Sequence, residues 1–103
     1  MNISELICMI ETDVEKFLQD DSVFQLMAFL RGYCCAKNAE MMRLENRLSQ
    51  DHLMLEAFGE HVRLTFGKVN EHVSIEEKLT DVAGDGALRL FFDEWTSYLN
   101  TMH

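Results

Sequence analysis

The segment ALRLFFDEWTSYL, residues 87–99, decides the fold of this 103-residue chain. Its large apolar side chains recur at steps of three and four residues, and polar or charged residues fill most of the positions between them. That spacing puts the apolar side chains on one face of a helix, because an α-helix turns once every 3.6 residues. The segment therefore predicts an amphipathic helix that packs through Leu88, Phe91, Phe92, Trp95, Tyr98 and Leu99.

Four upstream segments show the same periodicity, at residues 3–18, 24–34, 53–66 and 75–82. The chain contains no proline and only five glycines, so few residues interrupt a helix. At this length one hydrophobic core is expected, and a second is not. The sequence thus predicts an all-α fold, a single compact bundle of about five helices, made by one domain that spans residues 1–103.

Helix starts are marked by small polar side chains that can bond the free backbone amides of a first turn. Two of these have the spacing of capping boxes, in which two side chains satisfy each other's amides. The predicted caps are Ser22 with Gln25, Ser49 or Asp51, Ser74 with Glu77, and Asp85.

Helix ends are less clearly marked. Gly67 stands where glycine commonly ends a helix in the left-handed conformation, and residues 68–73 then form a loop. Gly32 falls inside the second helix, where it either lowers the stability of the helix by about 1 kcal/mol relative to alanine or marks a close helix crossing. The second helix either continues to Arg47 or breaks near Asn38.

Charge and cysteine content restrict the classes of partner. The net charge is −9, from 18 acidic and 9 basic residues, so phosphate backbones and anionic membranes repel the chain, and we expect neither nucleic acid nor membrane as a partner. The three cysteines, two of them adjacent, make a poor disulfide framework and fit reduced thiols in a cytoplasm. The first residues lack the features of a signal peptide, which also indicates a cytoplasmic location.

The sequence contains no recognisable catalytic or metal-binding motif. His52, Glu56, Glu60 and His61 cluster in one segment, but no histidine has an acidic residue three positions before it, as di-iron bundles require. The zinc spacing His-Glu-x-x-His, the Cys-x-x-Cys pair and the glycine-rich phosphate loop are absent as well. We therefore predict no catalytic residue, no metal, no cofactor and no enzymatic activity.

The negative charge is concentrated at the two ends of the chain. Residues 1–21 carry six acidic and one basic side chain, and residues 74–103 carry six acidic and two basic ones, whereas the charges of the middle segment cancel. If the terminal helices pack together, they form a negative face that attracts a basic partner. The predicted partner-binding residues are Asp13, Glu15, Asp20, Asp21, Glu76, Glu77, Asp81 and Asp85.

Three motifs along the chain resemble a pattern of small all-helical bacterial proteins. The motifs are Phe-Leu-x-Gly-Tyr at residues 29–33, Phe-x-x-x-Val at residues 58–62, and Ala-x-x-x-Phe-Phe at residues 87–92. Chains of this kind resemble immunity proteins of contact-dependent and other polymorphic toxins. The resemblance implies a protein that binds and neutralises a cognate secreted toxin, and the acidic charge favours a basic, nuclease-like one. The shared residues are apolar or small, so the resemblance assigns no binding residue.

Two alternatives follow from the apolar residues. Seven methionines and seven phenylalanines could line a groove for a partner helix, as in a helical adaptor or regulatory module. A bundle rich in aromatic residues could also form a homodimer through one apolar stripe.

Overall fold

The computed structural model describes residues 1–67 and 73–101, and these are almost entirely helical. In chain order the helices are α1 Ile3–Thr12, α2 Val14–Phe17, α3 Val23–Glu45, α4 Gln50–Phe66, α5 Ile75–Ala83 and α6 Ala87–Thr101, with a 3-10 turn at Gly84–Gly86 before α6. Since α2 is a single turn, five longer helices build the molecule. The predicted all-α bundle of about five helices is confirmed, and no described residue lies in a strand. Apart from Val73, the predicted loop over residues 68–73 lies outside the described residues.

An aromatic cluster between α4 and α6 occupies the centre of the core. The ring centroid of Phe58 lies 5.2 Å from Phe91, 5.0 Å from Trp95 and 5.6 Å from Tyr98. The pairs with Phe91 and Trp95 are edge-to-face, and each such pair adds roughly 0.5–1.5 kcal/mol to the stabilisation from buried area. The helix predicted at residues 87–99 therefore packs through the stripe that its spacing indicates.

The first helix breaks at Asp13, although its periodicity predicts one helix over residues 3–18. Asp13 has φ −147° and ψ 76°, outside the helical region. Just before it, the Thr12 hydroxyl donates to the Cys8 carbonyl at 2.8 Å, a bond that bends helices. The single turn α2 then carries the chain to Leu18, which is buried in the core.

The central helix α3 is continuous over 23 residues, so the chain does not break near Asn38. The Asn38 side chain instead holds the turn to α4, because its Oδ1 accepts bonds of 2.9 Å from both the backbone N–H and the hydroxyl of Ser49. The helix ends at Asn46, whose φ of 53° is the left-handed conformation that asparagine tolerates.

The two helical glycines have different surroundings. At Gly32 nothing lies within 4 Å of an added Cβ, so this residue does not mark a helix crossing. The close approach is at Gly59 on α4, where an added Cβ would lie 3.2 Å from Ile75 Cδ1. Gly59 therefore sets how closely α4 and α5 pack.

Serine hydroxyls cap three helices. Ser22 accepts a bond from the Phe24 amide at 3.1 Å, Ser49 rather than Asp51 accepts from His52 at 3.1 Å, and Ser74 accepts from Glu77 at 3.2 Å.

Two predicted capping roles and one predicted backbone conformation are wrong. Gln25 does not complete a capping box with Ser22, because its Oε1 accepts from the Asp20 amide at 3.0 Å. Gly67 ends α4 as predicted, but its backbone is extended, with φ −122°, instead of left-handed. Asp85 lies inside the 3-10 turn instead of capping α6 from a loop.

Candidate functional site

A groove lies where the end of α1 and the start of α2 meet the start of α6. It encloses about 480 Å³, and apolar atoms of Val14, Leu88 and Phe92 contribute to its lining. Among the described residues that line it, five are acidic and one is basic. We call it the acidic groove, and its charged residues are Glu11, Asp13, Glu15, Asp21, Asp85 and Arg89.

The break at Asp13 allows three carboxylates of one segment to line this groove. On an unbroken helix, positions two apart lie about 200° from each other, so Asp13 would point away from Glu11 and Glu15. At the break the backbone leaves the helical conformation, and all three residues line the same groove. The local fold therefore concentrates charge that regular helical geometry would spread around the axis.

Arg89 joins the two walls of the groove. Its Nη1 lies 3.4 Å from Glu11 Oε2, and its Nε and Nη2 donate to Asp93 Oδ1 at 3.1 and 2.9 Å. The side chain is 68% exposed, so these ion pairs contribute at most about 1 kcal/mol each. One guanidinium cannot balance five carboxylates, and the groove remains strongly negative.

A second groove of about 410 Å³ adjoins the first beside the 3-10 turn. It runs between the start of α3 and the start of α6, and Phe24, which is 49% exposed, lines it. Asp21, Asp85 and Leu88 line both grooves. Two acidic residues therefore stand where the grooves meet, next to an accessible aromatic side chain.

Half of the predicted partner-binding residues converge on the acidic groove, namely Asp13, Glu15, Asp21 and Asp85. The exposed Asp20 precedes Asp21 in the chain and lines neither groove.

The other three predicted residues lie on α5, and none of them lines either groove. Asp81 is exposed in its last turn, and Glu77 is exposed in its first turn, where its backbone amide and carboxylate contact the capping Ser74.

Glu76 is buried, so it cannot contribute to a partner-binding surface. It is only 5% exposed, and its carboxylate forms a two-pronged ion pair with Arg31 on α3, with Nη2 to Oε1 at 2.7 Å. Burial alone would raise the pKa of this carboxyl, but the bonds from Arg31, its own amide and Ser74, together with the Arg31 charge, hold the pKa below its usual value. We therefore remove Glu76 from the partner-binding surface, because its charge is neutralised inside the fold.

The histidine and glutamate cluster of α4 does not converge on one point. His52 Nε2 lies 3.0 Å from Glu56, whereas Glu60 pairs with Arg63 at 3.3 Å. His61 turns towards α6, with its Nε2 3.5 Å from Glu94. Across residues 1–67 and 73–101, no group of three His, Cys, Asp or Glu side chains is arranged to hold a metal ion.

Sequence reasoning missed two members of the groove, Glu11 and Arg89. The spacing of Arg89 and Asp93 predicts an ion pair along α6, but nothing local links Arg89 to a residue 78 positions earlier. Only the packing of the chain ends brings them together.

Comparison of the chain with known protein families, with curated proteins and with solved structures found no match. None of the helices in the part of the chain that the structure describes combines the length and the apolar character needed to cross a membrane. The geometry of the acidic groove and the three sequence motifs are therefore the observations that bear on the function.

Proposed function

We propose that this protein is a cytoplasmic immunity protein, which binds a cognate secreted toxin with a basic, nuclease-like domain and blocks it by direct contact. The observation that carries the proposal is the convergence of Asp13, Glu15, Asp21 and Asp85, from three segments of the chain, on one groove. The three motifs that resemble immunity proteins support the same function.

The charge of the groove suits such a target. A nuclease binds its substrate through lysine and arginine side chains that neutralise phosphates. Carboxylates lining a groove can bind those same side chains in place of phosphates, and the field of the groove accelerates the encounter. Because the charged residues stand on helices and short turns, little ordering free energy is lost on binding.

Growth rescue in a host cell tests the proposal. The basic domain that the adjacent reading frame is expected to encode is expressed with the wild-type protein or with a variant that carries Asp13→Lys, Glu15→Lys, Asp21→Lys and Asp85→Lys. We expect wild type to restore growth and the variant to fail. Since a close interfacial charge pair couples by roughly 1.5 kcal/mol or more, the four reversals together should weaken binding by roughly 10⁴-fold or more.

A matched variant controls for the change in net charge. Glu40, Glu45, Glu56 and Glu60 are exposed and lie outside the acidic groove, so reversing them alters the total charge equally. We expect this variant to protect as wild type does. Equal protection by both variants would show that the groove is not the binding surface, and circular dichroism of each purified variant shows whether it is folded.

A second candidate function is a helical adaptor that binds a partner helix. The observation that favours it is a set of exposed large apolar side chains on α3, among them Phe24, Phe29, Met42 and Leu44. An adaptor would bind its partner through α3 and would tolerate the four reversals in the acidic groove.

A further inference from the structure

A large apolar side chain is exposed at the second groove, next to the acidic groove. Phe24, in the first turn of α3, is 49% exposed and lines the second groove. Phe29 on the same helix is less exposed and packs edge-to-face on Phe17, with the ring centroids 6.3 Å apart. Across residues 1–67 and 73–101, Phe24 makes no ring contact of this kind. Aromatic packing in the core therefore does not account for a phenylalanine at this position.

The second groove has apolar surface that the fold already holds in place. Val23, Ala87 and Leu88 line it, and all three are buried at the starts of α3 and α6. Its volume of about 410 Å³ lies within the range of natural ligand clefts, roughly 300–1,000 Å³. A large side chain that enters the groove therefore meets the Phe24 ring and a preformed apolar surface, so little ordering free energy is lost.

The charges at the second groove indicate the chemistry of its occupant. Asp21 and Asp85 stand where it meets the acidic groove, and no basic residue is among the described residues that line it. Within the part of the chain that the structure describes, neither carboxylate forms an ion pair or a side-chain hydrogen bond. Both charges are therefore available to a cation. A second copy of this chain, with its net charge of −9, is repelled from the groove, whereas a basic partner is attracted.

We propose that the second groove is an anchor pocket, which binds a large apolar side chain of the basic partner while Asp21 and Asp85 bind lysine or arginine side chains next to it. The inference rests on the proposed function, because it takes a basic domain as the partner. It adds a chemical requirement, namely that the binding surface of the partner carries an apolar residue flanked by cations.

The two grooves then have different roles in one interface. Complementary charge mainly accelerates the encounter, whereas aromatic and other anchors that become fully buried supply most of the binding free energy. Because Asp21, Asp85 and Leu88 line both grooves, one surface of the partner can contact both at once. The acidic groove attracts basic proteins in general, and the anchor pocket selects those with an apolar residue in the right place.

Titration with two short peptides tests the anchor pocket without the natural partner. One peptide has a phenylalanine between two pairs of arginines, and the other has a serine in its place, so their charges are equal. Nuclear magnetic resonance of the nitrogen-15-labelled protein measures both affinities. We expect wild type to bind the phenylalanine peptide roughly 10-fold more tightly, because its ring leaves water, and the amide signals of Ala87 and Leu88 to shift. Equal affinities for the two peptides would overturn the proposal.

Two matched variants on α3 locate the effect. Phe24→Ala removes the ring from the anchor pocket but keeps the helix start, since the bond to Ser22 comes from the backbone amide. Met42→Ala shortens a side chain that is 48% exposed at the other end of α3 and lines neither groove. We expect the preference for phenylalanine to fall to roughly 2-fold or less in Phe24→Ala and to persist in Met42→Ala. A preference that persists in Phe24→Ala, or falls equally in both variants, would overturn the proposal.

The variant with Asp13, Glu15, Asp21 and Asp85 reversed separates this inference from the proposed function. Both peptides need the carboxylates, so we expect this variant to bind neither. If it binds neither while wild type shows no preference for phenylalanine, the anchor pocket is wrong and the acidic groove stands. If it binds both peptides as wild type does, the acidic groove is not a site for cations, and the proposed function fails together with the anchor pocket.

Discussion

The ion pair between Arg31 and Glu76 allows a stability prediction whose size follows from the structure. The Glu76 side chain is 7% exposed and that of Arg31 is 51% exposed, so the carboxylate is buried and the guanidinium is half in water. Arg31→Met keeps the apolar stem of the arginine and removes its charge. The carboxylate of Glu76 would then remain buried and would lose its principal ionic partner.

Breaking a fully buried pair by removing one partner costs about 3–5 kcal/mol. Because Arg31 is half exposed and water can reach the carboxylate when the guanidinium is gone, we expect a smaller loss, about 2–3 kcal/mol of unfolding free energy. The double variant Arg31→Met, Glu76→Met removes both charges and should recover most of that loss, since an apolar pair of similar volume often replaces an ion pair at little cost.

Urea unfolding followed by circular dichroism measures these free energies at neutral pH. The pKa of Glu76 is lowered in the folded state, so its contribution is present above the ordinary carboxyl pKa of about 4.3 and is lost as the pH falls through the lower folded value. Wild type should therefore lose its advantage over Arg31→Met in acid. A loss below about 0.5 kcal/mol for Arg31→Met, or a double variant as unstable as the single one, would refute this reasoning.

Two further predictions concern α3 and the helices around it. Gly32→Ala should raise the unfolding free energy by about 0.5–1 kcal/mol, because the site is helical and open. Gly59→Ala should raise it less or lower it, since the added Cβ would press on Ile75. Urea unfolding of the two variants shows which one is more stable. The pKa of Tyr33 is raised to about 12 by burial and a bond to Asp51, and burial raises that of Cys34 to about 11. The unfolding free energy should therefore fall as the pH rises from 9 to 12. Urea midpoints measured over this pH range detect the decline, and Tyr33→Phe should make it smaller.

The architecture followed from periodicity wherever a stripe was long and regular. The aromatic stripe of α6 and the hydroxyl caps of α4 and α5 are local signals, and the structure bears them out. The break at Asp13 was not predictable in this way, because Val14, Phe17 and Leu18 continue the apolar spacing beyond it. The competing interaction there is the bond from the Thr12 hydroxyl to the Cys8 carbonyl, which apolar periodicity does not report.

The sequence predicted the negative charge of the acidic groove better than it predicted which residues line the groove. Counting residues showed that both ends of the chain are acidic, and four predicted residues do share one groove. The burial of Glu76 depends on Arg31, a residue 45 positions away on another helix. The pairing of Glu11 with Arg89 likewise arises only when the chain ends pack, so neither was visible in any single segment.

The most direct test of the proposed function is affinity capture from the cells that naturally make this protein, using tagged wild type beside the variant with Asp13, Glu15, Asp21 and Asp85 reversed. Both are loaded at low salt, washed with rising salt and analysed by mass spectrometry. We expect wild type to retain a basic toxin domain encoded by the adjacent reading frame and the variant to release it. Retention of the same proteins by both, or of none with a basic domain, would contradict binding through the acidic groove.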